Sequence, residues 1–429
     1  MNFPKSLRLP VQAGFTLIEL MLSVAVIAGL MYFMIGTVDQ TQKVWVRTSE
    51  KVTEFQSARS AFESMTRRLS QATLNAYWRA HDATGGSSAT NAAPPFKFRR
   101  QSELQFISGP TQRFFGASPA VNNLSQPMDK AYPTHAVFFQ APIGYTEELP
   151  TTGAVNLPYY RNLDSLLTTC GYFIEYGSEP DRPGFINTMN IPEKYRYRLM
   201  EMTIPSERLT TFLRPPGKDD DGYSDPRTFD ENNNYYTGMV KTDRSSDNSW
   251  TRPLWMKEGF YRDAIGSSGG KYRFRYAHVR AENVIALVIL PKLPQKDRVN
   301  PDDLELAPGY EFDSWRILAG KTESLQDPDT KKNISLDNTA RDNLLPPIVQ
   351  VTMVAVDEKA MARFGPDGSK IPSSWTDGLF TKAKKVSDYT DDIQTLEQRL
   401  LNDTTKPNYR IFTADIVLRG SKWSRDPKP

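Results

Sequence analysis

The stretch QAGFTLIELMLSVAVIAGLMYFMIGTVDQ, residues 12–40, decides how this chain is built. From Leu20 to Val38 it carries no charge. A helix over that run is about 28 Å long, close to the thickness of a bilayer's hydrocarbon core. Yet a carboxylate, Glu19, stands at its head, where a charge at membrane depth costs roughly 2.5–3.5 kcal/mol or more. The preceding residues, MNFPKSLRLPVQAG, hold Lys5 and Arg8 and no acid. Basic residues ahead of an apolar span keep that end in the cytoplasm. One helix therefore spans the bilayer, and the rest of the chain lies outside. A cleaved export signal and a plain anchor both fit this hydropathy, but neither accounts for Glu19.

The remaining composition is that of a water-soluble body. Hydrophobic residues make up 39% and charged residues 24%, which is ordinary for globular proteins. A length of 429 residues is enough for two or three domains and a sizeable core. The net charge of +3 creates no global field that would draw a polyanion. A single cysteine, Cys170, excludes an internal disulfide framework and reads as a small buried apolar residue. Thirty-one prolines and 25 glycines imply many turns and point to a β-rich body.

The segment GFTLIEL, Gly14 to Leu20, resembles the cleavage and methylation signal of the type IV prepilins. The resemblance implies a cut between Gly14 and Phe15 by prepilin peptidase and methylation of the new terminus at Phe15. Glu19 then becomes the fifth residue of the mature chain. This gives Glu19 a physical role, because a buried carboxylate needs a partner or must neutralise. Cleavage supplies an ammonium at Phe15, either on the same helix face or from a neighbouring subunit. In that family the pairing sets the axial register of assembly. Such a pair adds little raw stability but specifies register well.

Beyond Val38 the chain turns polar and keeps a helical pattern. Val44, Trp45, Val52, Phe55, Ala58, Phe62, Met65, Leu69, Ala72 and Ala76 recur mostly at spacings of three and four. Residues 39–80 are therefore expected to form the amphipathic half of one helix, running from about Phe15 to about Trp78. The stripe is short for a coiled coil and suits a sheet lying against the helix.

A small-residue linker, HDATGGSSATNAAPP (81–95), leads into the body, residues 81–429. Strands are expected at 103–108, 135–143, 171–177, 194–204, 271–279, 283–290, 348–356 and 409–420. Most alternate apolar and polar residues, as antiparallel strands with one buried face do. NVIALVIL, 283–290, is apolar throughout and reads as buried on both faces. Loop insertions are expected near 214–250, 320–343 and 359–408, with a short helical pattern at 391–403 inside the last. The strands at 348–356 and 409–420 are assigned to one sheet.

The strand around LPPIVQVTMVAVDE (345–358) is similar to the core strand of the larger minor pseudopilins of type II secretion. KYRYRLMEMTIP, AENVIALVILP and the terminal DIVLRGSKW also resemble the C protein of the Verru_Chthon cassette of verrucomicrobial bacteria. The fold class is thus α+β and pilin-like. A long N-terminal helix, membrane anchor plus spine, packs on a mainly antiparallel sheet with long insertions.

Most candidate chemistry is weak. GSSGG, Gly266 to Gly270, satisfies G-x-S-x-G, but a nucleophile elbow needs a strand before it and a helix after, and here a strand follows. His81, His135 and His278 show no metal spacing and no triad, and each is read as structural or exposed. KDDDGYSD (218–225) offers Asp219, Asp221 and Asp225 as calcium candidates. Aligned as an EF-hand, however, Gly217 and Thr228 fall where charged ligands are needed, and the default is a solvated loop. KYRYR (194–198) and KYRFRY (271–276) alternate cations with aromatics. Lys194, Arg196 and Arg198 share one strand face, and Tyr195 and Tyr197 share the other. That pattern reads as a half-buried strand with its cations in water. A basic stripe for nucleic acid or anionic polysaccharide is the alternative, although single-strand binding wants cations and aromatics together.

The expected protein is a prepilin-like subunit of a type IV pilus or type II secretion-like filament, without catalytic residues or cofactor. Its partners would be prepilin peptidase, other pilin-like subunits, the membrane and, indirectly, an inner-membrane platform and a cytoplasmic assembly ATPase. It would pass once through the bacterial inner membrane, N-terminus cytoplasmic and body periplasmic, and move into a filament or to the cell surface on assembly. Nucleic acid is not expected as a partner. The alternatives are a membrane-tethered binding protein or enzyme that uses the prepilin export route, and a minor pilin for DNA uptake.

Overall fold

The computed structural model describes residues 16–81, 97–115, 131–146, 165–178, 186, 189, 195–209, 228–229, 252–253, 262–265, 271–294, 302, 304, 306–314, 323–326, 333–336, 343–362, 375–404 and 406–421. The chain divides into two compact units, Met1–Glu54 and Phe55–Pro429. The first contributes one helix, α1 (Leu17–Glu54). Its segment Leu17–Trp45 is long and apolar enough to cross a membrane, and none of it is buried in the protein.

The second unit begins with α2 (Gln56–Leu69), set off by Phe55 at φ −95°, ψ 0°. Ala58, Ala61, Phe62, Met65 and Leu69 form its buried stripe. The stripe follows the expected spacing, but the helix ends earlier than Trp78. Leu69 is its last residue, and Tyr77–His81 is a strand, β1, paired with β2 (Lys97–Gln101). No proline or glycine stops the helix. Tertiary bonding does, because the amide of Thr73 donates to the carbonyl of Gln140 at 3.0 Å instead of to its own helix.

Two antiparallel sheets carry the body. The remaining short strands and helices are β3 (Ile107–Pro110), α3 (Gln112–Phe115), β4 (His135–Pro142), β5 (Leu167–Gly177), β6 (Arg196–Ile204), β7 (Thr228–Phe229), β8 (Arg252–Pro253), β9 (Arg262–Ile265), β10 (Lys271–Phe274), β11 (Ala277–Glu282), β12 (Val284–Lys292), β13 (Phe312–Asp313), β14 (Glu323–Gln326), β15 (Asn333–Leu336), β16 (Ile348–Val356), α4 (Glu358–Ala362), α5 (Val386–Asn402) and β17 (Tyr409–Val417). The larger sheet runs β11-β6-β5-β4-β3-β13 and the smaller β12-β16-β17. The chain passes from one to the other through Asn283 alone. Asn283 adopts φ 60°, donates its amide to Tyr197 and accepts from Val356. Asparagine tolerates this left-handed conformation better than most residues.

The two strongest late strands are direct neighbours, with Ile348 opposite Val417 and Val356 opposite Tyr409. β12 is buried from Val284 to Pro291, as its apolar run requires. The half-buried alternation expected of the other strands does not hold for β4, β5 and β6, which are buried on both faces. Val137, Phe139, Cys170 and Tyr172 join the main core, which also takes in α2 and the smaller sheet. Phe138, Phe173 and Met200 face a second cluster roofed by Phe114, Phe115, Phe274 and Tyr276. Phe138 lies across Gly171 on the neighbouring strand, where a Cβ would come within 2.2 Å of its ring.

The expected insertion at 359–408 is largely structured. Trp375, Leu379, Phe380 and Ala383 are buried in the core, as are Leu396 and Leu400 of α5. The smaller sheet is covered on both faces. Phe62 of α2 packs on Phe412 at 5.8 Å, and on the other side Tyr389 of α5 meets the Thr352 hydroxyl at 2.6 Å. Within 320–343 the pieces 323–326 and 333–336 pair as a hairpin. Most of 214–250 lies outside the described residues.

Candidate functional site

The head of α1 is the first place where chemistry gathers. Helix starts leave amide donors unsatisfied, and a Thr followed three residues later by Glu is a sequence that satisfies them. Thr16 immediately precedes the helix, and Glu19 is its third residue. Glu19 Oε2 accepts from the Thr16 amide at 3.3 Å and from its hydroxyl at 3.1 Å. A carboxylate there also faces the positive end of the helix dipole. Glu19 therefore has a local partner that the sequence reading passed over, although the T-x-x-E spacing displayed it. Its other oxygen, Oε1, has no hydrogen bond among the described residues and remains available as an acceptor. Gly14 and Phe15 lie outside the described residues.

The second gathering point is a charge centre between α2 and the larger sheet. Glu201 on β6 is 1% exposed. It accepts from Arg68 Nη1 of α2 at 2.7 Å, from the Tyr172 hydroxyl of β5 at 2.5 Å, and from Arg280 of β11. Arg280 reaches it because β11 bulges between Val279 and Ala281, a device that re-aims side chains. Burial, then the Glu201 carboxylate, push the Tyr172 phenol far above its usual range. Burial raises the neighbouring Cys170 thiol to about 12. Neither group is a nucleophile under these conditions. The centre is a saturated ion cluster that fastens a helix to a sheet.

His135 forms a third node. Its Nδ1 accepts from the Ile289 amide at 3.0 Å, and its Nε2 lies 2.7 Å from the Phe380 carbonyl. These two bonds require a neutral ring protonated on Nε2. Burial lowers its pKa to about 4. Beside it, Thr134 Oγ1 accepts from the Leu287 amide. Together the two side chains cap alternate amides, those of Leu287 and Ile289, on the outer edge of β12.

The basic stripe at 194–198 is dismantled by the structure. Lys194 lies outside the described residues. Arg196 pairs with Glu282 at 2.5 Å and also with Glu358. Arg198 is 1% exposed and donates to the carbonyls of Gly177 and Ser178. Arg196 and Arg198 are thus engaged within the protein rather than held in water, while Tyr197 packs against Tyr176 at 4.7 Å and Tyr195 packs against Tyr176 at 6.3 Å. In the second stripe Arg273 and Arg275 are exposed. His278 is exposed, and the side chain of His81 lies outside the description. Asp219, Asp221, Asp225 and Gly266–Gly270 also lie outside the described residues, and β10 follows the last of these as a strand. Among the described residues, no group of three or more His, Cys, Asp or Glu is placed to hold a metal ion.

Residues 9–28 match the family described as the prokaryotic N-terminal methylation motif. No curated protein and no solved structure matches the chain. The motif, the apolar helix that follows it and the antiparallel body support a membrane-anchored, pilin-like precursor.

Proposed function

We propose that this protein is a pseudopilin-type subunit, cut by prepilin peptidase between Gly14 and Phe15 and methylated at Phe15. It would then enter or prime a filament of the type IV pilus or type II secretion kind. The observation that carries the reading is the methylation motif over residues 9–28, set directly against an unburied apolar helix with Glu19 at its third position. In the mature chain the Phe15 ammonium, its own or a neighbour's, meets the free oxygen of Glu19. That exchange of partners would set axial register without adding much stability. The body would stand in the periplasm and supply recognition rather than catalysis, with motion coming from a separate platform and ATPase. The sequence resemblances at 345–358 and at KYRYRLMEMTIP, AENVIALVILP and DIVLRGSKW favour a larger pseudopilin, of the kind found in type II secretion or in the Verru_Chthon cassette. No metal or cofactor is assigned, and calcium at Asp219, Asp221 and Asp225 remains the weaker proposal.

Mass spectrometry of the mature N-terminus, in cells with and without prepilin peptidase, tests this directly. The expected species begins at methylated Phe15 and disappears without the peptidase. A chain that begins at Met1 in both strains overturns the proposal.

A further inference from the structure

The smaller sheet ends differently on its two sides. On the β12 side, Thr134 and His135 occupy outward amides. On the other side stands β17, last in the order β12-β16-β17. Two bonds fix which of its groups face β16. The Asp357 amide donates to the Asn408 carbonyl at 2.9 Å, and the Leu418 amide donates to the Pro347 carbonyl at 3.2 Å. In an antiparallel ladder, bonded pairs recur at every second residue. The even-numbered residues of β17 therefore bond to β16, and the amides and carbonyls of Tyr409, Ile411, Thr413, Asp415 and Val417 point outward. Among the described residues, nothing hydrogen-bonds to these outward groups.

An unpaired edge is a template for another strand, and proteins commonly blunt it with proline, lysine or a bulge. β17, YRIFTADIV, has no proline or lysine, and its register with β16 runs unbroken from Tyr409 to Val417. Helices α2 and α5 cover the sheet at Phe412 and Thr352 but leave this last strand open. Within it only Ile416 is buried, and Val417 is 66% exposed.

We propose that β17 pairs antiparallel with β17 of a second copy of this chain, joining the two smaller sheets into one. The parity of the strand decides the occupant. A two-fold interface must be complementary to itself. The middle residue of Tyr409–Val417 is Thr413, whose backbone groups point outward. A two-fold axis between the two Thr413 residues overlaps the strands over their full length. It sets every outward group against another outward group, for about ten main-chain hydrogen bonds. In this register Tyr409 lies opposite Val417 of the second copy, Ile411 opposite Asp415 and Arg410 opposite Ile416. No like charges meet, and the Tyr–Val and Thr–Thr pairs are of stabilising kinds. The exposed Val417 side chain gains a cover. The proposal is independent of the filament reading.

The test measures the mass of the full chain in neutral-detergent micelles by sedimentation, across a dilution series. The parent should be a dimer that dissociates on dilution. Thr413→Pro removes only outward amides, which an edge strand tolerates, and should raise the dissociation constant about ten-fold or more while the melting temperature holds. Thr413→Lys, which sets like charges against each other without altering the backbone, should weaken the dimer too. Under mild oxidation Thr413→Cys should link two copies, since the paired Cα atoms would lie about 5.5 Å apart. Val417→Cys should not, because its two copies would lie roughly 27 Å apart. Cys170 is buried and leaves the introduced thiol as the reactive one. A parent that stays monomeric overturns the proposal, as does linking of Val417→Cys as readily as Thr413→Cys. A dimer unaffected by both Thr413→Pro and Thr413→Lys overturns it as well and assigns the association to α1. Linking of Thr413→Cys to a different protein in cells, without self-linking, assigns the edge to a foreign strand and also overturns it.

Discussion

Arg68 of α2 lies 2.7 Å from Glu201 of β6, and Glu201 is fully enclosed while Arg68 is about a quarter exposed. The pair joins the helix that begins the second unit to β6, the second strand of the larger sheet. Two further donors, Tyr172 and Arg280, converge on the same carboxylate. Removing the acid leaves the buried Tyr172 hydroxyl without its acceptor and takes the shared partner from Arg68 and Arg280, both of which reach solvent, whereas removing Arg68 leaves the enclosed Glu201 two partners. Glu201→Ala is therefore expected to cost more than Arg68→Met, but less than a fully buried pair would, because water screens both arginines. Arg68→Met is expected to cost about 1.5–3 kcal/mol. Urea denaturation of both variants checks the order, and equal losses would contradict it.

Acid should loosen the junction at His135. Its folded pKa of about 4 lies below the ordinary 6.5 because burial disfavours the charged ring. The unfolded state therefore binds the extra proton first. The contribution of the neutral ring is fully present above pH 6.5 and is lost as pH falls toward 4, on the order of 3 kcal/mol in all. Asp392, which accepts from Tyr310 and from the Phe380 amide, has a carboxyl raised by burial and works in the opposite direction. Comparison with His135→Gln isolates the histidine, since glutamine can accept from Ile289 and donate to Phe380 without titrating. The parent should lose stability between pH 6.5 and 4 more steeply than the variant.

Gly171 is required by its neighbour rather than by its backbone. A methyl at this position would overlap the Phe138 ring at 2.2 Å. Gly171→Ala should destabilise by about 1–3 kcal/mol, as overpacking of a filled core does. Phe138→Leu in the same chain should recover part of the loss, and a double-mutant cycle measures that coupling.

Glu19 has two candidate roles that one substitution separates. Glutamine at this position still caps a helix start, but it cannot neutralise an ammonium. If register depends on charge pairing, Glu19→Gln and Glu19→Ala should both be cleaved and both be poorly incorporated into filaments. Normal incorporation of Glu19→Gln alone would assign Glu19 to capping. The readout is the ratio of assembled to membrane-bound subunit.

What was legible in advance followed from periodicity. The apolar run beyond Glu19, the 58-62-65-69 stripe of α2 and the strand at 348–356 each repeat a pattern that only one local structure satisfies. The pairing of 348–356 with 409–417 across a long insertion was legible as well, because two strong apolar strands need a shared sheet. The end of α2 was not legible. Ala72 and Ala76 continue the helical spacing, and only the Gln140 carbonyl, far off in the chain, draws Thr73 away. The β1–β2 ribbon was hidden for the same reason, since its first strand sat inside an expected helix.

The primary structure alone establishes the membrane helix, the prepilin-like head and the β-rich character of the body, because hydropathy and short-range spacing are properties of neighbouring residues. The folded chain decides which charges meet. Arg198 and Glu201 sit three residues apart on β6, yet one is held by backbone carbonyls and the other by two arginines and a tyrosine. That difference arises from strand order, a bulge at Arg280 and the docking of α2. All three depend on contacts between residues distant in the chain, for which local sequence has no signature.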